Sequence, residues 1–239
     1  ETGEVTPYLG LVVHLADHVT AYASQSEIFM PQTQRDVSGK VLDPRVGRQL
    51  ELGLKGSFLG GRLQAATSVF RTRDQNRAFP DEANPGSFVQ VGEVEVKGWE
   101  AEVTGSPTAQ LQMTVGYARL DSEYLTHPSL AGTAFTLFEP KHTLKAYAQY
   151  RFADSPWSVG GGAHVSSGAP GTGQPGVREQ GGHGVVNAQM GYRISERTSV
   201  SLAVDNVFDR VYYARVGGLN SYNTYGEPRS ALLSVRTSM

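Results

Sequence analysis

Apolar and polar residues alternate with a period of two along most of this chain. In the segment HTLKAYAQYRF, residues 142–152, apolar side chains from Leu144 to Phe152 lie at every second position. Residues 48–58, 157–166 and 185–194 repeat the pattern. Because successive side chains of a β-strand point to opposite faces, each segment predicts an antiparallel strand with one apolar face.

The pattern predicts about eleven strands, and the connections between them alternate between short and long. The predicted strands are 6–14, 18–28, 47–58, 62–78, 87–104, 110–122, 141–152, 157–168, 183–194, 198–208 and 224–238. The predicted long connections are 29–46, 79–86, 123–140, 169–182 and 209–223. A transmembrane β-barrel keeps this order, because its short turns face the periplasm and its long loops face outward.

Aromatic residues mark the turn ends of the apolar stripes, where a barrel has an interfacial girdle. They are Tyr150, Phe152, Trp157 and Tyr192. The prediction is therefore an all-β, antiparallel, up-and-down transmembrane β-barrel. A soluble β-sandwich used for binding is the alternative, since it would show the same alternation with the apolar face turned to a core.

Composition narrows the choice of partners and chemistry. The 239 residues include 21 Lys and Arg against 23 Asp and Glu, so no basic excess predicts binding to nucleic acid. No apolar run approaches the ~18–20 residues of a membrane helix. The absence of cysteine excludes disulfides, thiol catalysis and cysteine-ligated zinc.

An odd number of strands does not suit a closed bacterial barrel, which has an even number. An open sheet in hydrocarbon would leave two edges of unpaired backbone groups, at several kcal/mol per group. We therefore expect the chain to be an incomplete half of a barrel of about 22 strands, a size whose lumen is plugged.

Several segments together resemble the C-terminal β-barrel of TonB-dependent siderophore receptors, close to the ferric-hydroxamate and pyoverdine-type group. The matching segments are SEIFMPQ at 26–32, LDPRVGRQLELGLKG at 42–56, VKGWEAEV at 96–103, VDNVFDRVYY at 204–213 and YGEPRSALLSVRTSM at 225–239. One departure is Met239, because this family usually ends in an aromatic residue.

The resemblance implies import of ferric siderophores across the bacterial outer membrane, driven by the proton motive force. Residues 1–239 would then be the C-terminal part of the barrel, without its plug domain and N-terminal strands. The implied partners are a ferric siderophore, outer-membrane lipid, the plug and N-terminal barrel half, and TonB–ExbB–ExbD through the N-terminal part. Iron is expected only within the siderophore, with no resident cofactor or metal.

Aromatic and arginine residues of the long connections are the candidate ligand contacts, since a ferric siderophore is bulky and often anionic. The candidates are Phe29, Tyr124, Phe135, Arg215 and Tyr222. In the alternative interpretation, the aromatic residues pack the loops against one another.

Charged residues on the polar faces of the strands are the candidate contacts to a plug. They are Glu51, Lys55, Glu100, Glu102 and Arg236. The alternative is a solvated ion network inside the lumen, in which exposed pairs contribute little stability.

No catalytic residue is predicted. His164 and Ser166 lie two positions apart on one strand, about 7 Å, which is too far for a nucleophile and its base. Asp205, Asn206 and Asp209 fit a turn cap better than a calcium loop, which has different spacing. A small outer-membrane barrel enzyme remains an alternative, and it would need a Ser/His/Asp cluster at one rim.

Lipid contact predicts a distinctive behaviour of the isolated chain. We expect it to need detergent for solubility, because its apolar strand faces have no protein to cover them. We also expect no heat-dependent shift in gel mobility, which requires a closed barrel. A compact monomer in detergent-free buffer, detected by gel filtration, would contradict this prediction.

Overall fold

A computed structural model describes residues 5–90, 92–127, 129–172, 175–218 and 221–238. Within these ranges, no helix has the length and apolar character needed to cross a membrane. The strands are β1 (Tyr8–Ala16), β2 (Val19–Met30), β3 (Arg45–Phe58), β4 (Leu63–Gln75), β5 (Ala78–Pro80), β6 (Phe88–Gln90), β7 (Glu93–Gly105), β8 (Leu111–Thr126), β9 (His142–Arg151), β10 (Trp157–Ser166), β11 (His183–Arg193), β12 (Thr198–Asp205), β13 (Tyr213–Arg215), β14 (Thr224–Tyr225) and β15 (Ser230–Thr237).

The described strands form one large sheet and two small hairpins. The 11-stranded sheet has the order β1-β2-β3-β4-β7-β8-β9-β10-β11-β12-β15, while β5 pairs with β6 and β13 with β14. Each strand of the large sheet lies beside its predecessor along the chain, apart from the hairpins, so the sheet is an up-and-down meander. It is open, with β1 and β15 at its ends. The predicted meander of about eleven strands is confirmed, and the sandwich alternative is wrong.

The strand register brings apolar residues into continuous rows across the sheet. One row runs from Met113 through Ala148, Gly161 and Ala188 to Val204. The adjacent row, on the other face, begins with the opposed glutamines Gln112 and Gln149. Each strand therefore presents an apolar face and a polar face; in a barrel the polar face lines the lumen.

The apolar face is not covered by protein. The accessible surface is 15853 Å², whereas a soluble folded monomer of this mass exposes about 10,500 Å². Among the described residues, only Leu42, Val94 and Val216 are buried apolar side chains. The apolar rows therefore face a non-aqueous medium, as the lipid-facing side of a barrel does.

The predicted aromatic girdle forms two close pairs at the turn ends of β9–β11. The ring centroids of Trp157 and Tyr192 are 4.6 Å apart, and those of Tyr150 and Phe152 are 5.1 Å apart. All four rings are more than a third exposed. They lie at the short turns, where the periplasmic interface of a barrel is expected.

Residues with positive φ interrupt two of the predicted strands. The strand expected over 62–78 ends at Gln75, and Asn76 follows with φ 62°. The strand expected over 87–104 divides into β6 and β7 around Gly92, with φ 93°. A Cβ on Gly92 would overlap the carbonyl oxygen of Thr126, so only glycine fits there.

The last two predicted strands also differ from the structure. The strand expected over 198–208 ends at Asp205, because Asn206 has φ 49°. The strand expected over 224–238 is divided into β14 and β15, with Pro228 in the connection. Proline has no N–H to give to a ladder, which accounts for the break before β15. Met239 lies outside the described residues.

The chain divides into two compact units. The first contains Glu1–Leu54, Thr67–Trp99 and Leu120–Thr136, and the second contains Lys55–Ala66, Glu100–Arg119 and Leu137–Met239.

The end of β7 yields a test of this backbone geometry. Gly105 has φ 142°, and its Cβ would overlap the carbonyl oxygen of Arg62, which accepts a hydrogen bond from the Ser106 N–H at 2.7 Å. We expect Gly105→Ala to lower the free energy of unfolding by about 1–3 kcal/mol, measured by urea unfolding in detergent. The matched control is Gly116→Ala in β8, where no atom lies within 4 Å of the added Cβ. Equal midpoints for the two variants would contradict the assigned conformation.

Candidate functional site

The second unit has a cavity of about 700 Å³ on its polar face, at the strand ends away from the aromatic girdle. Strands β9–β11 form its wall, and the connection between β12 and β15 lies over it. The lining side chains on which the argument depends are Lys145, His164, Ser166, His183, Tyr212 and Arg215.

Cross-strand pairing assembles the wall of this cavity. Ser166 lies opposite His183, and its Oγ is 3.3 Å from Nδ1 of that ring. The rings of His164 and His183 are 6.3 Å apart. Ser166 therefore contacts the histidine on the neighbouring strand. The sequence, by contrast, drew attention to His164 on the same strand.

A tyrosine covers part of this wall. The ring of Tyr212 stacks on that of His183, with centroids 4.6 Å apart and planes at 24°. Its backbone carbonyl accepts a hydrogen bond from the Gly226 N–H at 2.8 Å. A Cβ on Gly226 would overlap the Tyr212 ring, so glycine is required for this close approach.

A second tyrosine pair stiffens the same connection. Tyr213 and Tyr225 stack at 4.6 Å, and their hydroxyl oxygens are 3.2 Å apart. The hydrogen bond to Tyr213 raises the pKa of Tyr225, because it stabilises the protonated phenol. The Tyr213 N–H also donates to Oε1 of Gln180 at 2.7 Å, which ties the hairpin to the preceding loop.

Asn206 anchors the base of the connection. Its side-chain Nδ2 donates to the carbonyl oxygens of Arg210 and Glu227, both at 2.9 Å. Its Oδ1 accepts from the Arg210 N–H at 2.8 Å, and its own N–H donates to Asn187 Oδ1 at 2.9 Å. Asn206 is only 2% exposed. This arrangement is a turn cap: the amide bonds both ends of the connection and holds Tyr212 over the wall.

The first unit has its own aromatic cluster near the outer ends of its strands. Tyr124 and Phe135 meet edge to face at 5.4 Å, and Phe79 lies 6.0 Å from Tyr124. The guanidinium of Arg77 lies 4.6 Å from the centroid of the Phe135 ring. Arg77 also donates to Asp74 at 2.6 Å, so an ion pair positions it over the aromatic face.

The predicted ligand contacts are therefore distributed over several places. Tyr124 was expected in a long connection but lies in β8, which extends past its predicted end at residue 122, and its ring contacts Phe135 in the first unit. Arg215 lines the cavity of the second unit, whereas Tyr222 is 94% exposed and is not among the cavity-lining residues. Phe29 lies within β2, which extends past the predicted end of that strand.

The predicted lumen charges differ in their surroundings. Glu51 accepts a 2.5 Å hydrogen bond from the Tyr22 hydroxyl. Lys55 and Glu100 each interact with a neighbouring group. Glu102 lies two residues after Glu100 in β7, on the same strand face. Tyr22 thus positions the Glu51 carboxylate.

Arg236 belongs to a cationic groove on the polar face at the turn end of the second unit. This groove has a volume of about 610 Å³ and is lined also by Arg151 and Arg193, with no acidic side chain among its described lining residues. Three guanidinium groups on one face attract an anionic partner.

The described part of the chain contains no group of three or more His, Cys, Asp or Glu side chains able to hold a metal ion. The two openings on the polar face of the second unit present cationic and aromatic groups, which suit a bulky anion.

Comparison with known proteins identifies the family. A protein-family model described as "TonB dependent receptor-like, beta-barrel" matches residues 1–207. The chain belongs to this family. Its barrels lie in the outer membrane of Gram-negative bacteria, which accounts for the uncovered apolar rows and the girdle.

The similar proteins are receptors of the same type. The ferric-pyoverdine M114 receptor PbuA of Pseudomonas sp. (strain M114) is 34% identical over 245 residues, covering 99% of this chain and 30% of that receptor. The metal-pseudopaline receptor CntO of Pseudomonas aeruginosa (strain UCBPP-PA14) is 30% identical, covering 96% of this chain and 33% of the receptor. The crystal structure of the ferripyoverdine receptor of P. aeruginosa bound to ferripyoverdine has a TM-score of 0.87 at 31% identity, covering 99% of this chain and 33% of that one. The chain thus spans about a third of the length of the receptors it matches.

Sequence analysis of this TonB-dependent receptor barrel missed several residues of the second-unit cavity. Lys145 and His183 lie on the polar faces of their strands, as many other residues do, so their positions in the sequence do not mark them. The pairing of β9 and β11 with β10 is what places them near one another. Tyr212 and Tyr213 are in the segment VDNVFDRVYY, one of those that resemble the family, so the sequence did mark these two tyrosines. Gln180 lies in a glycine-rich loop with no pattern to mark it.

The anchor role of Asn206 leads to a prediction for the loop it holds. We expect Asn206→Ala to increase amide hydrogen exchange across residues 207–229, because the carbonyl oxygens of Arg210 and Glu227 lose their donor, at about 0.5–1.5 kcal/mol for each hydrogen bond. Asn84→Ala is the control, because Asn84 bonds Asp81 within an exposed turn. Unchanged exchange in residues 207–229 of Asn206→Ala would show that other contacts hold the loop.

Proposed function

We propose that this chain forms part of the wall of an outer-membrane receptor that takes up ferric siderophores in a TonB-dependent manner. The observation that carries the proposal is the cavity of the second unit, where stacked tyrosine and histidine rings lie beside Lys145 and Arg215. The receptors it resembles are named for ferric pyoverdines and for metal-pseudopaline. Iron enters as part of the cargo, and no resident cofactor is needed.

The chemistry of the cavity suits a large anionic chelate. An aromatic ring such as that of Tyr212 offers a large contact area to a ligand while few side-chain torsions have to be fixed. Aromatic rings also pack well against flat conjugated groups. The guanidinium of Arg215 offers several donors to carboxylate or hydroxamate oxygens, and Lys145 adds a compact positive charge. A siderophore of the pyoverdine type, which combines an aromatic group with oxygen ligands, fits these features.

The cationic groove around Arg236 supports a second part of the proposal. We infer that a plug domain in the remainder of the receptor contacts Arg151, Arg193 and Arg236 through acidic side chains. Coupling to TonB, ExbB and ExbD would act through that remainder.

The similar proteins named above are receptors, and we propose that this chain likewise performs no catalytic step. Although Ser166 lies near His183, the histidine ring is stacked on Tyr212. That stacking fits a ligand-contacting wall.

Arg215 provides the test of this function. In the full-length receptor, we expect Arg215→Gln to weaken binding of a ferric pyoverdine by about 10- to 100-fold, the loss of one charge-assisted hydrogen bond worth ~1.5–3 kcal/mol. Binding is measured by fluorescence quenching and uptake by radioactive iron. The control is Arg197→Gln, in the short turn before β12. Identical binding by both variants would contradict the assignment of this cavity to the siderophore.

A further inference from the structure

A cluster of charged residues lies on the apolar side of the sheet in the first unit, where the proposed uptake function has no use for it. In β3, Leu50, Leu52 and Leu54 are exposed at alternate positions, and Arg48 continues their row. Arg48 lies ten positions before Phe58, which is at the short turn. That distance is about 34 Å along the strand, or about 26 Å of height at a ~40° tilt. Because the apolar band of such barrels is about 25 Å tall, Arg48 lies at its outer margin.

Strand β4 shows the same change from apolar to cationic. Val69 is 50% exposed, and Arg71 and Arg73 follow it on the same strand face. The residues between them face the other way: Thr72 donates to Gln49, and Asp74 pairs with Arg45 in β3. Arg71 and Arg73 are therefore on the lipid side of the sheet. They lie beyond Val69, at the end of β4 farther from the short turn.

A buried carboxylate positions these arginines. Glu95 is 5% exposed, and its Oε2 accepts from Nε of Arg71 at 2.5 Å and from Nε of Arg73 at 2.9 Å. Its Oε1 is 3.7 Å from Nζ of Lys97. Glu95 thus places two guanidinium groups side by side with the ammonium group close by.

The remaining ion pairs of the cluster are long. Arg48 is 3.6 Å from Glu27, and Arg73 is 3.6 Å from Glu93. Both distances exceed those of a hydrogen bond, so these guanidinium groups still have N–H donors for another acceptor. The cluster contains four cations, Arg48, Arg71, Arg73 and Lys97, against three carboxylates, Glu27, Glu93 and Glu95.

Two grooves meet at this cluster. A charged groove of about 450 Å³ is lined by Arg48, Arg71 and Arg73, and an apolar groove of about 550 Å³ continues toward the short turns. Leu50 and Arg71 line both grooves. The apolar groove is lined by Leu9, Leu11, Ala23, Leu52 and Val69. An apolar channel that ends in a row of guanidinium groups has the polarity of one lipid molecule.

We propose that this pair of grooves is a binding site for a phosphorylated lipid of the outer leaflet. The phosphate accepts hydrogen bonds from Arg48, Arg71 and Arg73, and one acyl chain lies along the leucine-lined groove. Since arginine binds phosphate with two parallel donors, the arginines positioned by Glu95 favour a phosphate monoester, which carries more negative charge and one more free oxygen, over the phosphodiester of a zwitterionic headgroup. The site depends on neither the cavity nor the siderophore.

Native mass spectrometry of the full-length receptor in detergent tests the proposal, with bisphosphorylated lipid A as the probe. We expect the wild type to retain lipid A, and Arg48→Gln combined with Arg73→Gln to retain at least 10-fold less. Dephosphorylated lipid A should bind the wild type as weakly as the phosphorylated form binds the double variant. Arg197→Gln, the same charge change in the short turn before β12, is the matched control and should retain lipid A normally.

Three results would overturn the proposal. They are no lipid A on the wild type, equal retention by the double variant, or full displacement of lipid A by inorganic phosphate, which would indicate a simple anion site. Arg48→Gln alone is the variant least expected to disturb folding, because the contact that Arg48 makes within the described residues is the long one to Glu27. It should lower lipid retention while leaving the heat-dependent gel shift and ferric-pyoverdine binding unchanged, which separates this proposal from the uptake function.

Discussion

The structure depends on the medium that contacts the apolar rows of the sheet. Antiparallel pairing satisfies the backbone groups within the meander, but only three described apolar side chains are buried by protein. In water this exposed area would oppose folding, since each Å² of apolar surface costs about 25 cal/mol. In an acyl layer the same area has no such cost, and the absence of a core becomes the expected result. The girdle pairs at the short turns of β9–β11 then mark one margin of that layer.

Residues that break the strands decide where the candidate site lies. Asn206 ends β12 in a left-handed conformation and uses its whole side chain to join both ends of the connection that follows. This bonding returns Tyr212 to the wall, where it stacks on His183. Gly226 permits the return, because no side chain fits against the Tyr212 ring. The position of the cavity is therefore a consequence of backbone geometry at two residues, while its chemistry comes from residues of β9–β11 and of the connection between β12 and β15.

The alternation of residue types was sufficient to predict the meander, the girdle and the order of short and long connections, because these depend on a local period of two. It did not predict the strand ends at Asn76, Gly92 and Asn206, since a single positive φ is invisible in an apolar pattern. The place of Arg215 in a long connection made it a ligand candidate, but nothing in the sequence associated it with Lys145 or His183. Those neighbours are set by cross-strand register, and register follows from pairing across the sheet.

Register also connects the two faces of the first unit. Four consecutive residues of β4 alternate in direction: Arg71 and Arg73 reach Glu95 on the lipid side, while Thr72 and Asp74 reach Gln49 and Arg45 on the polar side. A shift of one residue would exchange the two sets and leave every one of these charges without its partner. Both sets of bonds therefore stabilise the same alignment of β4 with its neighbours. The outer cluster that we assign to a lipid phosphate and the ion pair that holds Arg77 against Phe135 thus depend on one strand register.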